Sequence, residues 1–339
     1  MKRLLAVAAT VCILAFLFTR VDRAELVRNV AATRMGWFAA AMAMFIPQIW
    51  AIALRWRRMV GVFTPITWGE SIGLILASNT MNLVLPSKLG DLSKGVFLTR
   101  MGALDIKRAM NVVVFEKMLD VAALALFMLV GVAMLLAQPS AAPVAAGALV
   151  LAGLLGIAAV GGVAVLYFVP LGALPGMRRM MAWLESVPRL ARIHRLLSTS
   201  HEVMTLLQSR GARRGFIVSM ALVIWIFHLV QIWFFFLALD VRVPVGQFVS
   251  LVPLAIFIGL VPLTVAGFGT RDGALQAFFP QYPPEMMLAV AMFVNIRYIL
   301  PALLGIPWML RYITYAREAR EARMAANGNP PPVERQDAG

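Results

Sequence analysis

Four groups of polar residues lie inside runs of sequence that are otherwise apolar. Glu116, Lys117 and Asp120 sit within Asn111–Ala137. Glu116 and Asp120 are four residues apart and so share a helix face. Two acids there repel unless a cation or a proton lies between them. In a membrane-crossing run each charge would cost about 2.5–3.5 kcal/mol, and acidic side chains are too short to snorkel out. Such acids persist where they find partners or water; Lys117 is long enough to snorkel. The second group is Asn79, Asn82, Ser87, Lys88, Gly90, Asp91 and Lys94. It suits a crevice for a charged headgroup: lysine and backbone amides at a helix start bind phosphate, and Asp91 can take an amine or Lys94. The plainer alternative is a solvated turn, with Asp91 as a helix cap and Lys94 in water. The third group is Thr264, Gly267, Gly269, Thr270, Arg271 and Asp272. The glycines permit a tight backbone and close ligand approach, and Arg271 offers a planar fork suited to phosphate. Here the alternative is an Arg271–Asp272 turn at the outer surface. The last is Arg297, near the middle of Pro284–Leu310. Its expected partner is Glu116, Asp120 or Asp272, either as a structural ion pair or as a functional site. Asn295, two residues earlier, points elsewhere on the helix.

The elements that carry these residues are apolar helices. A spanning helix needs about 20 mostly apolar residues. Six runs qualify: Leu4–Thr19, Met35–Leu54, Asn111–Ala137, Pro143–Val169, Phe216–Leu239 and Pro284–Leu310. The first lies between Lys2, Arg3 and Arg20 with no small-x-small cleavage site after it, and is read as a retained helix. Two further segments, Trp68–Leu92 and Val245–Leu275, start as apolar helices and then meet Pro86 or Pro262 and a Gly-bearing polar stretch. Broken backbone cannot face lipid, so both read as re-entrant hairpins buried in protein or lining a wet cavity. If they enter from opposite faces they form an inverted pair, the arrangement of secondary-transporter folds.

The chain has 339 residues, of which 61% are hydrophobic and 14% charged, against roughly 25% charged in soluble domains. Mean hydropathy is +0.83. These values exclude a soluble enzyme and a disordered chain and indicate an all-α polytopic membrane protein. Cys12 is the sole cysteine, so no internal disulfide forms. The net charge of +15 falls in short segments between apolar runs, which reads as positive-inside topology rather than nucleic-acid binding. Residues 170–215 carry eight Arg and two Glu and are expected to be a basic amphipathic cytoplasmic segment. His194 and His201 within it read as solvated, and His228, alone in an aromatic helix, reads as a packing residue. Residues 1–315 form the membrane domain, and 316–339 read as a disordered cytoplasmic tail. Both termini are then cytoplasmic. The Arg20–Arg34 loop runs against this, with four Arg facing Asp22 and Glu25 on the expected outer side.

Three stretches occur in order: N-x-x-L-P-S-K-L-G-D-L-S-K (Asn82–Lys94), F-E-K-M-L-D (Phe115–Asp120) and A-G-F-G-T-R-D-G-A (Ala266–Ala274). They resemble the flippase-like membrane domain of lysylphosphatidylglycerol synthases and its stand-alone relatives, over about residues 5–315. That family has Glu at the positions of Asp91 and Asp272, and often Arg at those of Lys88 and Lys117. The resemblance implies a multi-helix domain that moves a lipid between leaflets. The short stretch after Leu310 leaves no room for the soluble synthase domain, so lipid aminoacylation is not expected.

The leading expectation is therefore a flippase-like transporter of a bacterial inner membrane, moving an anionic or amino-modified phospholipid or glycolipid. Lys88, Arg271 and Arg297 would hold the anionic headgroup. Asp91, Glu116, Asp120 and Asp272 would balance them or bind an amine. The alternatives are a membrane transferase on a lipid or polyprenyl phosphate, with Glu116 or Asp120 as base, and a non-transporting accessory of a lipid-modifying complex. No His/Cys metal spacing or Walker loop is present, so no metal or cofactor is expected. The expected partners are membrane lipids, with a separate lipid-modifying enzyme as a further candidate and no nucleic acid.

Overall fold

The computed structural model describes residues 2–85, 90–137, 146–168, 211–261 and 263–314. Pro86, Ser87, Lys88, Pro262, the basic segment up to residue 210 and the tail from residue 315 lie outside the described residues. Among the described residues every regular element is helical. The elements are α1 (Lys2–Thr19), α2 (Arg23–Ala31), α3 (Met35–Ala43), α4 (Phe45–Val60), α5 (Trp68–Val84), α6 (Ser93–Arg100), α7 (Ile106–Leu136) and α8 (Ala146–Phe168). They continue with α9 (Gly211–Ala238), α10 (Val245–Gly259), a 3-10 turn (Val265–Gly267), α11 (Thr270–Phe278) and α12 (Pro284–Leu304).

Among the described residues, five segments are long and apolar enough to cross a membrane: Met35–Val60, Ile106–Leu136, Gly147–Ala164, Gly215–Ala238 and Pro284–Leu304. The sequence suggested six. The first expected span, Leu4–Thr19, falls within the 18-residue α1, and it packs on the second broken segment, where the Val265 amide donates to Thr10 Oγ1 at 2.9 Å. The second expected span is longer than Met35–Leu54 and is interrupted at Met44. Pro47, in the first turn of α4, has no amide proton to give back to the preceding turn. Gln231 of α9 supplies a replacement donor nearby, bonding the Ala41 carbonyl at 2.9 Å.

The two broken segments are hairpins, α5–α6 and α10–α11, and α12 serves as a ruler for their directions. At its carboxyl end lies the start of α5: Gly73 is packed against Trp308, and the Tyr312 hydroxyl donates to the Glu70 carbonyl at 3.4 Å. The returning α6 comes back to the same end, where Phe97 stacks on Tyr312 at 4.9 Å. At the amino end of α12 lies the start of α10, with Gln281 Nε2 donating to Gln247 Oε1 at 3.0 Å. The hairpins thus enter from opposite faces, as an inverted pair.

The pairing is also exchanged. Each hairpin's first limb packs against the long helix that follows the other hairpin: α10 on α7, and α5 on α12. A glycine permits each contact. A β-carbon at Gly131 would collide with the Val249–Ser250 backbone, and one at Gly305 with the Leu76 carbonyl. Thr80 Oγ1 adds a 2.6 Å bond to the Ala302 carbonyl beside the second contact.

The Arg-rich loop after α1 also has an explanation. Arg34 pairs with Asp240 at 2.8 Å, and the Asp22 amide donates to Glu285 Oε1 at 3.0 Å. An acid distant in sequence thus pairs with one of the loop's four arginines, which a reading of the local loop does not count.

Candidate functional site

A cavity of about 420 Å³ lies where the two hairpins approach each other. Its polar wall is a network of three cations and three acids. Glu116 and Asp120 face the same way from α7, as their spacing requires, and the cation between them is Arg55 of α4. Arg55 Nη2 reaches Glu116 Oε1 at 2.9 Å and Nη1 reaches Asp120 Oδ1 at 2.7 Å. Lys94 Nζ takes the other Glu116 oxygen at 2.5 Å and lies over the Trp56 ring at 4.8 Å, a cation–π contact in a dry setting. Lys117 Nζ joins Asp91 at 2.7 Å and Asp120 at 3.3 Å. Asp91 also accepts from Ser78 at 2.9 Å and Asn82 at 3.2 Å, with Lys94 at 3.9 Å. Charges taken out of water are tolerated only when paired and hydrogen-bonded, and this set is neutral and closed.

The network revises several sequence expectations. Asp91 is not a helix cap: the N-cap of α6 is Leu92, without a side-chain bond. Lys94 is not solvated but 3% exposed. Lys117 is partly exposed, yet its ammonium is directed to two acids rather than snorkelling to an interface. Asn79 is half-buried and lines the cavity. Gly90 is buried and lets the returning limb lie against the Met81–Asn82 backbone.

On another wall the cavity is lined by Gln48, His228, Gln231, Arg297 and Tyr298. Gln48 Nε2 donates to Gln231 Oε1 at 3.0 Å, and Arg297 Nη1 approaches the same oxygen at 3.4 Å. Arg297 Nη2 donates to the Tyr298 hydroxyl at 2.5 Å. None of the three acids expected for Arg297 is its partner; among the described residues it forms no ion pair, although it is 6% exposed. His228, expected to be a packing residue, packs edge-on to Trp225 at 5.4 Å and also lines the cavity.

The turn of the second hairpin is buried, which removes the surface-turn alternative. Arg271 and Asp272 are each 1% exposed and 3.6 Å apart. Gly267 and Gly269 have φ of 78° and 84°, a region other residues enter at a cost. Asp272 Oδ2 accepts the Gly269 amide at 2.9 Å and Asn295 Nδ2 at 2.9 Å, while the Asn295 oxygen takes Arg271. Thr264 and Thr270 bond to each other at 3.0 Å. Asn295 therefore fastens the hairpin to α12, while Arg297 points to the cavity, in keeping with their two-residue spacing.

The structure brings the first and second residue groups and Arg297 to one cavity. It places Gly267, Gly269, Arg271 and Asp272 behind it, as a brace; Ser87 and Lys88 lie outside the described residues. The sequence reading missed Arg55, Ser78, Gln48 and Gln231. A signal existed for two of them: Gln48 and Arg55 are seven residues apart, on one stripe of α4 with the buried Met59.

A family model for the lysylphosphatidylglycerol synthase TM region matches residues 3–305. No match to the chain was found among curated proteins or among solved structures. The family match takes in both hairpins, the charged network and Arg297, and the chain belongs to the lysylphosphatidylglycerol synthase TM-region family.

Proposed function

We propose that the chain is a flippase-like transporter that moves an anionic or amino-modified phospholipid or glycolipid between the leaflets of a bacterial inner membrane. Its family, membrane proteins associated with lipid modification or flipping, supports the lipid part of this reading. The observation that carries the transport part is the cavity itself. It is polar on one side and is bounded by Ser78, Asn79 and Asn82 of one hairpin and by Leu260 at the end of α10 in the other. The hairpins enter from opposite faces, so a group held there has a protein wall toward each leaflet. At about 420 Å³ the space suits a headgroup, while acyl chains stay in the surrounding lipid. The face with Arg57, Arg58, Arg100, Lys107, Arg108 and Arg311 is assigned to the cytoplasm by its positive charge. A transferase would need Glu116 or Asp120 as a base, and both are already engaged by Arg55.

The test is reconstitution into vesicles carrying fluorescent phospholipids, with the outer leaflet bleached chemically. Transfer is expected to run at least about tenfold faster than in protein-free vesicles, a barrier difference near 1.4 kcal/mol. Asn79→Trp, which fills the cavity, should return it to the protein-free rate. Wild-type vesicles that match protein-free ones for anionic, zwitterionic and amino-modified lipids would refute the proposal.

A further inference from the structure

We propose that the headgroup this cavity accepts is a phosphodiester monoanion without an amine. The inference rests on the transport reading and narrows its substrate class. An amine needs a carboxylate, and every carboxylate lining the cavity is already engaged. Both oxygens of Glu116 hold a cation, Asp120 holds Arg55 and Lys117, and Asp91 holds Lys117 and two neutral donors. To bind there, an ammonium would displace Arg55 or Lys94 and leave that cation buried without its counter-charge, which is strongly unfavourable, or displace Lys117 from Asp91 and Asp120 together, giving up two ion pairs for one.

Arg297 presents the opposite situation. It is 94% buried, its Nε has no hydrogen-bond partner, and its Nη1 contact to Gln231 is long at 3.4 Å. A second guanidinium is close by. Arg271 and Arg297 lie 5.0 and 4.6 Å from the centre of the Tyr298 ring, and Asp272 compensates only Arg271. The described residues around the cavity therefore form a neutral set of six, a neutral Arg271–Asp272 pair and one uncompensated positive charge on Arg297. A buried charge without a counter-ion is costly to keep. A guanidinium whose Nε–H lacks a protein partner can turn it, with an Nη–H, to two oxygens of a phosphate in a bidentate fork. One charge on the protein calls for one on the ligand, which a phosphodiester supplies and an aminoacylated one cancels.

The experiment is native mass spectrometry of the full chain in neutral detergent, titrated with phosphatidylglycerol, phosphatidylethanolamine or lysylphosphatidylglycerol. Phosphatidylglycerol is expected to bind about tenfold more tightly than the other two. Arg297→Gln should reduce that preference to within about twofold, and Arg297→Lys should restore most of it, since the charge returns without the fork. Melting in detergent supplies the folding control. Arg297→Gln should leave the lipid-free transition unchanged or higher, because it removes an uncompensated charge, and should abolish the upward shift given by phosphatidylglycerol. Equal or tighter binding of lysylphosphatidylglycerol, or a preference that survives Arg297→Gln, would overturn the proposal. Glycerophosphoglycerol, the deacylated headgroup, separates the sources of the anion. If it binds as tightly as the intact lipid with the same Arg297 dependence, the site serves a soluble phosphate ester and the lipid assignment falls. Failure of the vesicle transport assay alongside an intact binding preference would remove the transport reading and leave the anion site standing.

Discussion

Arg55→Leu is expected to destabilise the purified protein by about 3–5 kcal/mol, the range seen when one partner of a buried ion pair is deleted. One guanidinium holds two carboxylates four residues apart, and both Arg55 and Glu116 are 1% exposed. Without it Glu116 retains Lys94 and Asp120 retains Lys117, but three acids then face two cations, with Glu116 fully buried. The measurement is reversible unfolding in mixed micelles of increasing denaturing detergent. Arg55→Lys should recover part of the loss, since an ammonium reaches one acid more readily than two. Arg55→Leu combined with Glu116→Gln should cost clearly less than the sum of the single changes, the sign of a direct interaction. A loss below about 1 kcal/mol would place the pair in the class of exposed, weakly coupled bridges and would contradict the geometry.

Gly131→Val and Gly305→Val should be comparably damaging. Each puts a side chain where the backbone of the other half's hairpin already lies. Overpacking costs about 1–3 kcal/mol when side chains can adjust; here the obstacle is main chain, so the cost falls at or above the upper end. Both variants should lower the melting temperature and abolish vesicle transport, whereas Gly147→Val should change neither, since open space surrounds Gly147. If Gly131→Val and Gly305→Val behave like Gly147→Val, the close approach of α10 to α7 and of α5 to α12 is wrong.

Much of this arrangement could be read from sequence because it depends on local pattern. Apolar run length marked the long helices, and Pro with Gly marked the two hairpins. The i, i+4 spacing of Glu116 and Asp120 demanded a cation between them. That the cation is Arg55 could not be read from its neighbours. It sits beside Arg57 and Arg58 at the end of an apolar run and looks like part of a basic border, yet it turns inward with Trp56 and Met59. Lys94 was misjudged for a related reason: its burial is set by α4 and α7, distant in sequence. The partner of Arg297 was sought among acids because charges usually pair. The structure instead surrounds it with Gln231 and Tyr298, an environment no spacing rule foresees. The seating of α1 on the second hairpin and the interruption at Met44 rest on tertiary contacts, through Thr10 and Gln231, that appear only once the helices are assembled.

The exchanged grip of the hairpins has a mechanical consequence. α10 is seated on α7 and α5 on α12, while α6 also lies on α7 and Asn295 ties α11 to α12, so each hairpin bridges both long helices and resists their parting. The two glycine-seated grips thus interlock the halves, and separating them means undoing the contacts of both hairpins together.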